Sequence, residues 1–491
     1  MNRETNAGPK KIFAELQKNL AYLRGLFEGS MDFVVREFYM EKTKAALITI
    51  DNLTDKQTIA QSVLNPIARA NLRGLSGVKK MDALQQRVLT TVDQQPLYDF
   101  DTLLTKLMSG FAMLLVDGCG VALAIGVQGF AYRSISEPST EVVQRGSRES
   151  FVEPMVINAS MIRRRMKTPK LKFEYMQIDS ESKTDVCLCY LKDRVSAEIL
   201  AHLKRNLRKI KMETVLASGY LAPFIERRSL FNGVGISERP DTVCGKIAEG
   251  RIAVLIDGVP NVLLVPYLFI ENFQTFDDYS MRPFFATFTR WLKVFAFFLA
   301  VFLPGFYVAS VVFHPEFLPQ ALLTKVVQAQ GKTPFSLMVE CVTIHVIYEI
   351  LREAGLRVPK PLGHAVSIVG GLVIGEAAVQ SGLVGSPTLM VIALTAISSY
   401  VAPTLYEQVA VLRLAFILLG GLLGFWGMIP GFCVILVGIC TQSIYGVPFS
   451  APVSPFSLKS MRDVAIRASW KILRRDVEEV QHMPGTHVKK K

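Results

Sequence analysis

The sequence predicts an α+β/α chain: two tandem small α/β domains followed by a multi-span α-helical membrane domain. Three observations predict it. Charge is unevenly distributed, a helix–strand–turn–strand pattern recurs at a constant offset of 140 residues, and long apolar segments begin only near residue 291. Residues 291–447 hold 13 charged side chains in 157 positions, whereas the other 334 residues hold 84. That contrast separates a water-facing part from a part built for lipid. At 491 residues the chain is too long for a disulfide-stapled miniprotein, and with half its residues hydrophobic and a mean hydropathy of +0.31 it is unusually apolar for a soluble protein.

The chain divides into a peripheral N-terminal segment (1–30), a first α/β domain (31–148), a second, related α/β domain (149–280), a helical transmembrane domain (281–450) and a basic cytosolic tail (451–491). The N-terminal segment is a polar lead with a short helical stretch over 12–27. It lacks a secretory pattern, so the large N-terminal portion is expected on the cytosolic side. The first domain opens with a strand over Phe33–Met40, a turn at 41–43, a partner strand over 45–50 and a helix from about Lys56.

The segment from Asp101 to Gly118 reappears as Asp241 to Gly258 without a gap. In each copy the leading Asp is placed to accept from exposed helix amides, Gly110 or Gly250 to end the helix in a left-handed conformation, and Asp117-Gly118 or Asp257-Gly258 to turn a hairpin. A weaker echo relates Glu37 to Ile50 with Glu174 to Tyr190. Each domain should therefore carry a small sheet covered by helices on at least one face. Asp117 and Asp257 are read as turn residues rather than catalytic groups.

The sequence contains no complete phosphate-binding loop, dinucleotide fingerprint, metal-spaced histidine cluster or serine-nucleophile elbow, so neither an enzymatic activity nor a cofactor or metal is expected. The seven cysteines are odd in number and unpatterned, and are read as reduced, buried small hydrophobes. The run Arg163-Arg164-Arg165-Met166-Lys167 is too short for a nucleic-acid surface. It is read as a solvated helix end or a contact with a neighbouring domain, with anionic lipid headgroups as a further partner if that face meets a bilayer.

Residues 291–313 are apolar apart from Lys293 and at 1.5 Å per residue span about 34 Å, enough for a bilayer core. Further apolar stretches cover 334–350, 362–384, 387–403, 409–428 and 429–445. Basic residues before 291, at Arg352, Arg357 and Lys360, and in the tail after 459 are assigned to the cytosolic side, which requires an even number of crossings: six, or four if two segments are re-entrant. Ionisable groups in such segments are costly to bury in hydrocarbon and mark protein-facing or water-facing surfaces. Glu340, His345 and Glu349, with Arg352 three residues on, read as one polar stripe on an otherwise apolar helix. Glu376 is central in its segment, and Arg413 is shallower and placed to snorkel. Two readings of these six residues stay open: structural ion pairs, Glu349 with Arg352 and Glu376 with Arg413, or the lining of an aqueous route. Gly370, Gly371, Gly375, Gly420, Gly421, Gly424 and Gly427 permit close helix contact, as in any stable bundle.

The motifs Glu137-Pro-Ser-Thr-Glu141, Arg145-Gly-Ser-Arg148-Glu-Ser-Phe151-Val-Glu153, Glu238-Arg-Pro-Asp241, Leu351-Arg-Glu-Ala-Gly-Leu-Arg357-Val-Pro359, Ser367-Ile-Val-Gly370, Gly375-Glu-Ala-Ala-Val379 and Tyr445-Gly-Val-Pro448 occur in order along the chain. Together with Asn158, Arg163 to Arg165 and Lys183-Thr-Asp185 they resemble the GerA family of bacterial spore germination proteins, most nearly the stage V sporulation AF-type branch. The family pattern often has a neutral amide where this chain has Glu376 and Pro-Tyr where it has Pro448-Phe449. The resemblance implies a multi-pass protein of the spore inner membrane with its N-terminal domains facing the core. It also implies a subunit of a homo-oligomeric, pentameric ion channel that promotes or amplifies monovalent cation release, with a small accessory membrane protein and other germination receptor subunits as partners. A non-conducting scaffold or signal-relay subunit is the competing expectation; a secondary transporter lacks the inverted repeat it would need.

Overall fold

The computed structural model describes residues 10–487 except 73, 74, 76, 130–137, 139, 358–372 and 474–478. Residues 362–372 of the 362–384 stretch, with the motif at 367–370, and also Lys360 and Glu137, lie outside the described residues.

The first domain consists of α1 (Leu16–Leu26), β1 (Phe33–Met40), β2 (Thr43–Ile50), β3 (Gln94–Leu97), α2 (Phe100–Leu107), β4 (Phe111–Val116) and β5 (Ala122–Gly126). Its antiparallel sheet runs in the order β1-β2-β4-β5-β3. One face packs Ile48, Met113 and Leu115 against α1 and α2, and the other packs Leu47, Leu114 and Ile125 against helical turns between 56 and 88. Because both faces are covered, every residue of β4 is buried, and alternation gives way to a continuous apolar run.

The second domain repeats this plan with α3 (Met155–Arg165), β6 (Leu171–Gln177), β7 (Asp185–Leu191), α4 (Ala197–Arg208), α5 (Ser218–Ile225), β8 (Gly235–Ser237), α6 (Pro240–Ala248), β9 (Ile252–Ile256) and β10 (Val262–Val265). Its sheet order is β6-β7-β9-β10-β8, the same topology strand for strand. α3 and α6 cover one face, and α4 and α5 cover the other.

The repeat extends further upstream than the sequence suggested. Asp117 accepts from the Leu16 amide at 2.9 Å and Asp257 from the Met155 amide at 3.0 Å, so each hairpin aspartate satisfies an orphan amide at the start of a helix that precedes its sheet. Asn19 and Asn158 clamp the chain six residues earlier in the same way, at Phe13 and Val152. α1 is thus the counterpart of α3. Leu16, Leu20 and Leu23 are buried in the first core, which corrects the assignment of residues 1–30 as peripheral. The cap of α2 is corrected: Asp99, not Asp101, accepts from the Thr102 amide, while in α6, which begins at Pro240, Asp241 accepts from the Thr242 amide at 2.8 Å as expected and also pairs with Arg239. Gly110 and Gly250 do adopt φ of +88° and +87°, and a Cβ on either would sit under 3 Å from a carbonyl oxygen, of Leu53 or Arg194.

The helical part comprises α7 (Pro283–Val312), α8 (Gln320–Gln330), α9 (Leu337–Arg357), α10 (Ser386–Ser399), α11 (Tyr406–Leu423) and α12 (Phe425–Thr441). Against the six or four expected crossings, two helical stretches among the described residues are long and apolar enough to cross a membrane: Pro283–Val312 and Pro403–Leu423. α10 and α12 are apolar but have 14 and 17 residues, and α9 carries too many charges over its 21. α7 and α11 cross at Gly305 and Gly420, where a Cβ on Gly305 would overlap the Phe416 backbone of α11 and one on Gly420 would overlap the Gly305 backbone of α7.

The tail is not simply a solvated basic extension. Val480 enters the core of the second domain, and the Arg467 side chain is buried beside Tyr279. Cys433 and Cys440 are exposed on α12, correcting the expectation that all cysteines are buried.

Candidate functional site

α9 holds four of the six ionisable residues singled out from the sequence, and the structure divides them into two sites. At about 100° per residue, His345, Glu349 and Arg352 fall within roughly 60° of one another, but Glu340 lies about 140° from His345. The expected single stripe therefore excludes Glu340. Its fully buried carboxylate accepts from the Thr333 hydroxyl, from the Gly385 amide at 3.2 Å and from the Thr388 hydroxyl at 3.2 Å. Gly385 is the N-cap of α10, so Glu340 places its charge at the positive end of that helix.

The second site lies one to three turns further along α9. His345 is buried, hydrogen-bonds the Ala410 backbone, and has Nδ1 4.0 Å from a Glu349 oxygen. The other Glu349 oxygen accepts from the Tyr406 hydroxyl at 2.6 Å and lies 3.6 Å from Arg352. The Arg352 guanidinium stacks 3.3 Å from the Tyr406 ring centre. Arg413 is fully buried rather than snorkelling. Its Nε donates to Ala300 O of α7 at 2.9 Å, its Nη2 reaches Thr395 O of α10 at 3.4 Å, and its guanidinium lies 5.9 Å from the Tyr348 ring centre. The expected Glu376–Arg413 pair is absent: Glu376 is exposed and accepts from Gln380 one turn on. The Arg413 fork is instead taken up by carbonyls of two neighbouring helices.

Three buried atoms in this second site have no hydrogen-bond partner among the described residues: His345 Nδ1, Glu349 Oε1 and Arg413 Nη1. Buried polar groups are costly without partners and are ordinarily satisfied by protein or water. Tyr348, Tyr400 and Tyr406 complete the network, with Tyr348 donating to Tyr400 at 3.1 Å. Sequence reasoning missed these tyrosines; the only signal was the adjacency of Tyr348 to Glu349.

The model of the Bacillus/Clostridium GerA spore germination protein matches residues 21–478. The chain belongs to the GerA family. Its relatives include spore germination protein KA of Bacillus subtilis strain 168, 37% identical over 94% of this chain and 86% of that protein. The uncharacterized membrane protein YfkQ of the same organism is 32% identical over 97% and 92% of the two chains, and spore germination protein GerLA of Bacillus cereus is 30% identical over 93% of each. Among solved structures, the N-terminal domain of the A subunit of the Bacillus megaterium spore germinant receptor GerK3 is similar at 27% identity and a TM-score of 0.43. It covers 53% of this chain and 98% of that one.

Several of the motifs that resemble the GerA family converge between the soluble domains and α7. Glu238 accepts from the Thr140 amide and hydroxyl, at 2.5 and 2.8 Å, and from the Glu141 amide at 2.9 Å. Arg239 binds Asp241 and donates to the Glu141 and Ser147 carbonyls. Burial, with the neighbouring Glu238 charge, pushes the Glu141 carboxyl up to about 7. The same loop is held at Gln144 and Arg145 by Asp277, whose neighbour Asp278 pairs with Arg290 and Lys293 of α7. The basic run is consumed by pairing: Arg163 with Asp32, Arg164 and Arg165 with Glu149.

Proposed function

We propose that this GerA-family chain is a subunit of a homo-oligomeric ion channel in the spore inner membrane, promoting or amplifying monovalent cation release during germination. The observation that carries the reading is the His345–Glu349–Arg413 cluster, in which three buried polar atoms lack protein partners within an apolar helical region. Such atoms are satisfied by water, and water among ionisable groups inside a membrane domain is the ingredient of an ion path. α9 joins α10 and α11 in a multi-pass arrangement, with the α/β domains on the core side and the 140–153 loop relaying their movements through Asp277 and Asp278 to α7. Pentameric assembly, a small accessory membrane protein and other germination receptor subunits as partners, the absence of enzymatic activity, and membership of the stage V sporulation AF-type branch belong to the same reading.

A second reading, a non-conducting scaffold or relay subunit, is favoured by Glu340, whose buried carboxylate is held by three protein donors as a helix cap. Currents across bilayers containing the purified oligomer decide between them. The channel reading expects monovalent cation currents that fall in Glu349→Gln at equal protein abundance; no current from the intact oligomer with its small partner selects the scaffold, and equal currents in the variant remove Glu349 from the ion path.

A further inference from the structure

The tail between Phe456 and Leu473 exposes five large apolar side chains in a segment that also exposes Lys459, Arg462 and Lys471: Phe456, Leu458, Ile466, Trp470 and Ile472. A water-facing tail has no use for that combination, since exposed apolar groups gain nothing from water. Apolar side chains interleaved with basic ones are what a headgroup layer selects, the first entering the acyl boundary and the second facing phosphate.

The tail is held at a defined height. The Arg467 amide donates to Thr287 Oγ1 at 3.1 Å, its guanidinium donates to Tyr279 O at 3.0 Å, and the Trp470 indole donates to the same carbonyl at 3.1 Å. Asp463, the acid within the segment, is turned inward to Arg290 at 3.2 Å and to the Tyr279 hydroxyl at 3.0 Å, so it does not cancel the exposed basic groups. These contacts fix the tail against the first two turns of α7, whose own exposed face carries Phe284, Phe288, Trp291 and Phe295 at spacings of four, three and four.

The three tryptophans of the chain then fall at two levels. Trp291 and Trp470 lie near the start of α7. Trp426 is 82% exposed beside Phe425, whose ring packs 5.3 Å from Phe306 and 4.9 Å from His314 at the far end of the same helix. From Trp291 to Val312 the helix rises about 32 Å, close to the thickness of a bilayer core, and tryptophan is enriched at both of its boundaries.

We infer that the 456–473 segment is a binding surface for anionic phospholipid, lying in the headgroup layer at the end of α7 nearest the α/β domains. The inference rests on α7 crossing a bilayer, as proposed above. Its test uses the full-length chain reconstituted in phosphatidylcholine vesicles with and without phosphatidylglycerol, and lipids brominated near the headgroup end of their acyl chains as fluorescence quenchers. The double variant Trp291→Phe/Trp426→Phe leaves Trp470 as the reporter, and Trp426→Phe/Trp470→Phe leaves Trp291.

Quenching of Trp470 should be several-fold stronger with phosphatidylglycerol than without it. High salt, or Arg462→Glu with Lys471→Glu, should return it to the neutral-lipid level. Trp291 should be quenched in both lipids. Trp470 unquenched while Trp291 is quenched, as when a second copy of the chain covers the tail, overturns the inference and leaves the membrane reading standing, as does equal quenching in both lipids. Loss of quenching at Trp291 overturns the membrane reading itself.

Discussion

Arg163 and Asp32 meet at the junction of the two α/β domains with both side chains completely withdrawn from water, joined through Nε at 2.9 Å and Nη2 at 2.7 and 3.0 Å. The remaining guanidinium donors reach Ser30 and the carbonyls of Thr168 and Leu171, and the plane lies 4.7 Å from the Phe173 ring centre. Every charge is compensated, so the pair fixes how one domain sits on the other rather than adding much net stability.

Removing one partner leaves the other charge stranded. Arg163→Ala is expected to destabilise the chain by about 3–5 kcal/mol, and Asp32→Leu combined with Arg163→Met to recover most of that loss. Denaturant unfolding of the wild type, Asp32→Leu, Arg163→Met and the double variant checks it: additive losses in the double variant would show that the two side chains do not act as a pair.

The hairpin aspartates make a matched comparison. Asp117→Ala and Asp257→Ala each remove a carboxylate from a helix amide and should each cost about 1 kcal/mol. Because the two units share their topology, the losses should agree closely in thermal unfolding. A loss at only one site would mean that the equivalence of α1 and α3 is geometric without being energetic.

The 140-residue offset was visible because the hairpin and the helix before it are local in sequence, so turn and helix-end residues repeat at the same spacing. The role of α1 was not visible because it depends on Asp117 reaching Leu16 across 101 residues. In the helical part, the position of the first long apolar helix was legible from its composition. The polar stripe was mis-phased because residues spaced by five do not share a helical face. The direction of Arg413 could not be read because its partners are backbone carbonyls of Ala300 and Thr395, which any residue type supplies.

Glu141 gives a prediction about pH. Its folded carboxyl titrates at about 7, above the ordinary value of 4.5, chiefly because of burial. Between those values the folded chain holds a proton that the unfolded chain has released, so stability falls as pH rises from about 4.5 to 7. The upper limit is about 3 kcal/mol, from 1.36 kcal/mol per pH unit. Glu141→Gln keeps an acceptor for Ser237 and removes the charge, so thermal unfolding of that variant should be flatter across this range; an unchanged slope would assign the dependence to another group.

Glu340 separates a structural carboxylate from a conducting one. Glu340→Ala leaves the Gly385 amide at the start of α10 without its carboxylate partner, at about 1–3 kcal/mol for a buried donor left unpaired, while the Thr333 and Thr388 hydroxyls keep Gln330 O at 2.9 Å and the Tyr307 hydroxyl at 3.4 Å. Glu340→Gln preserves one acceptor oxygen for both the Gly385 amide and the Thr388 hydroxyl, and the Thr333 hydroxyl can accept from the new NH2 group while donating to Gln330 O, so a loss of about 1 kcal/mol is expected. A purely structural Glu340 therefore predicts that thermal stability of the detergent-solubilised protein orders as wild type, Gln, Ala, and that Glu340→Gln conducts as wild type at equal abundance. Glu349→Gln predicts the opposite pattern. Its carboxylate accepts one hydrogen bond, from Tyr406, and has a buried oxygen without a protein partner, so losing the charge should disturb stability little and current strongly. If Glu340→Gln abolished current while leaving the melting temperature unchanged, the capping role would not be its main one, and the ion path would have to pass the start of α10.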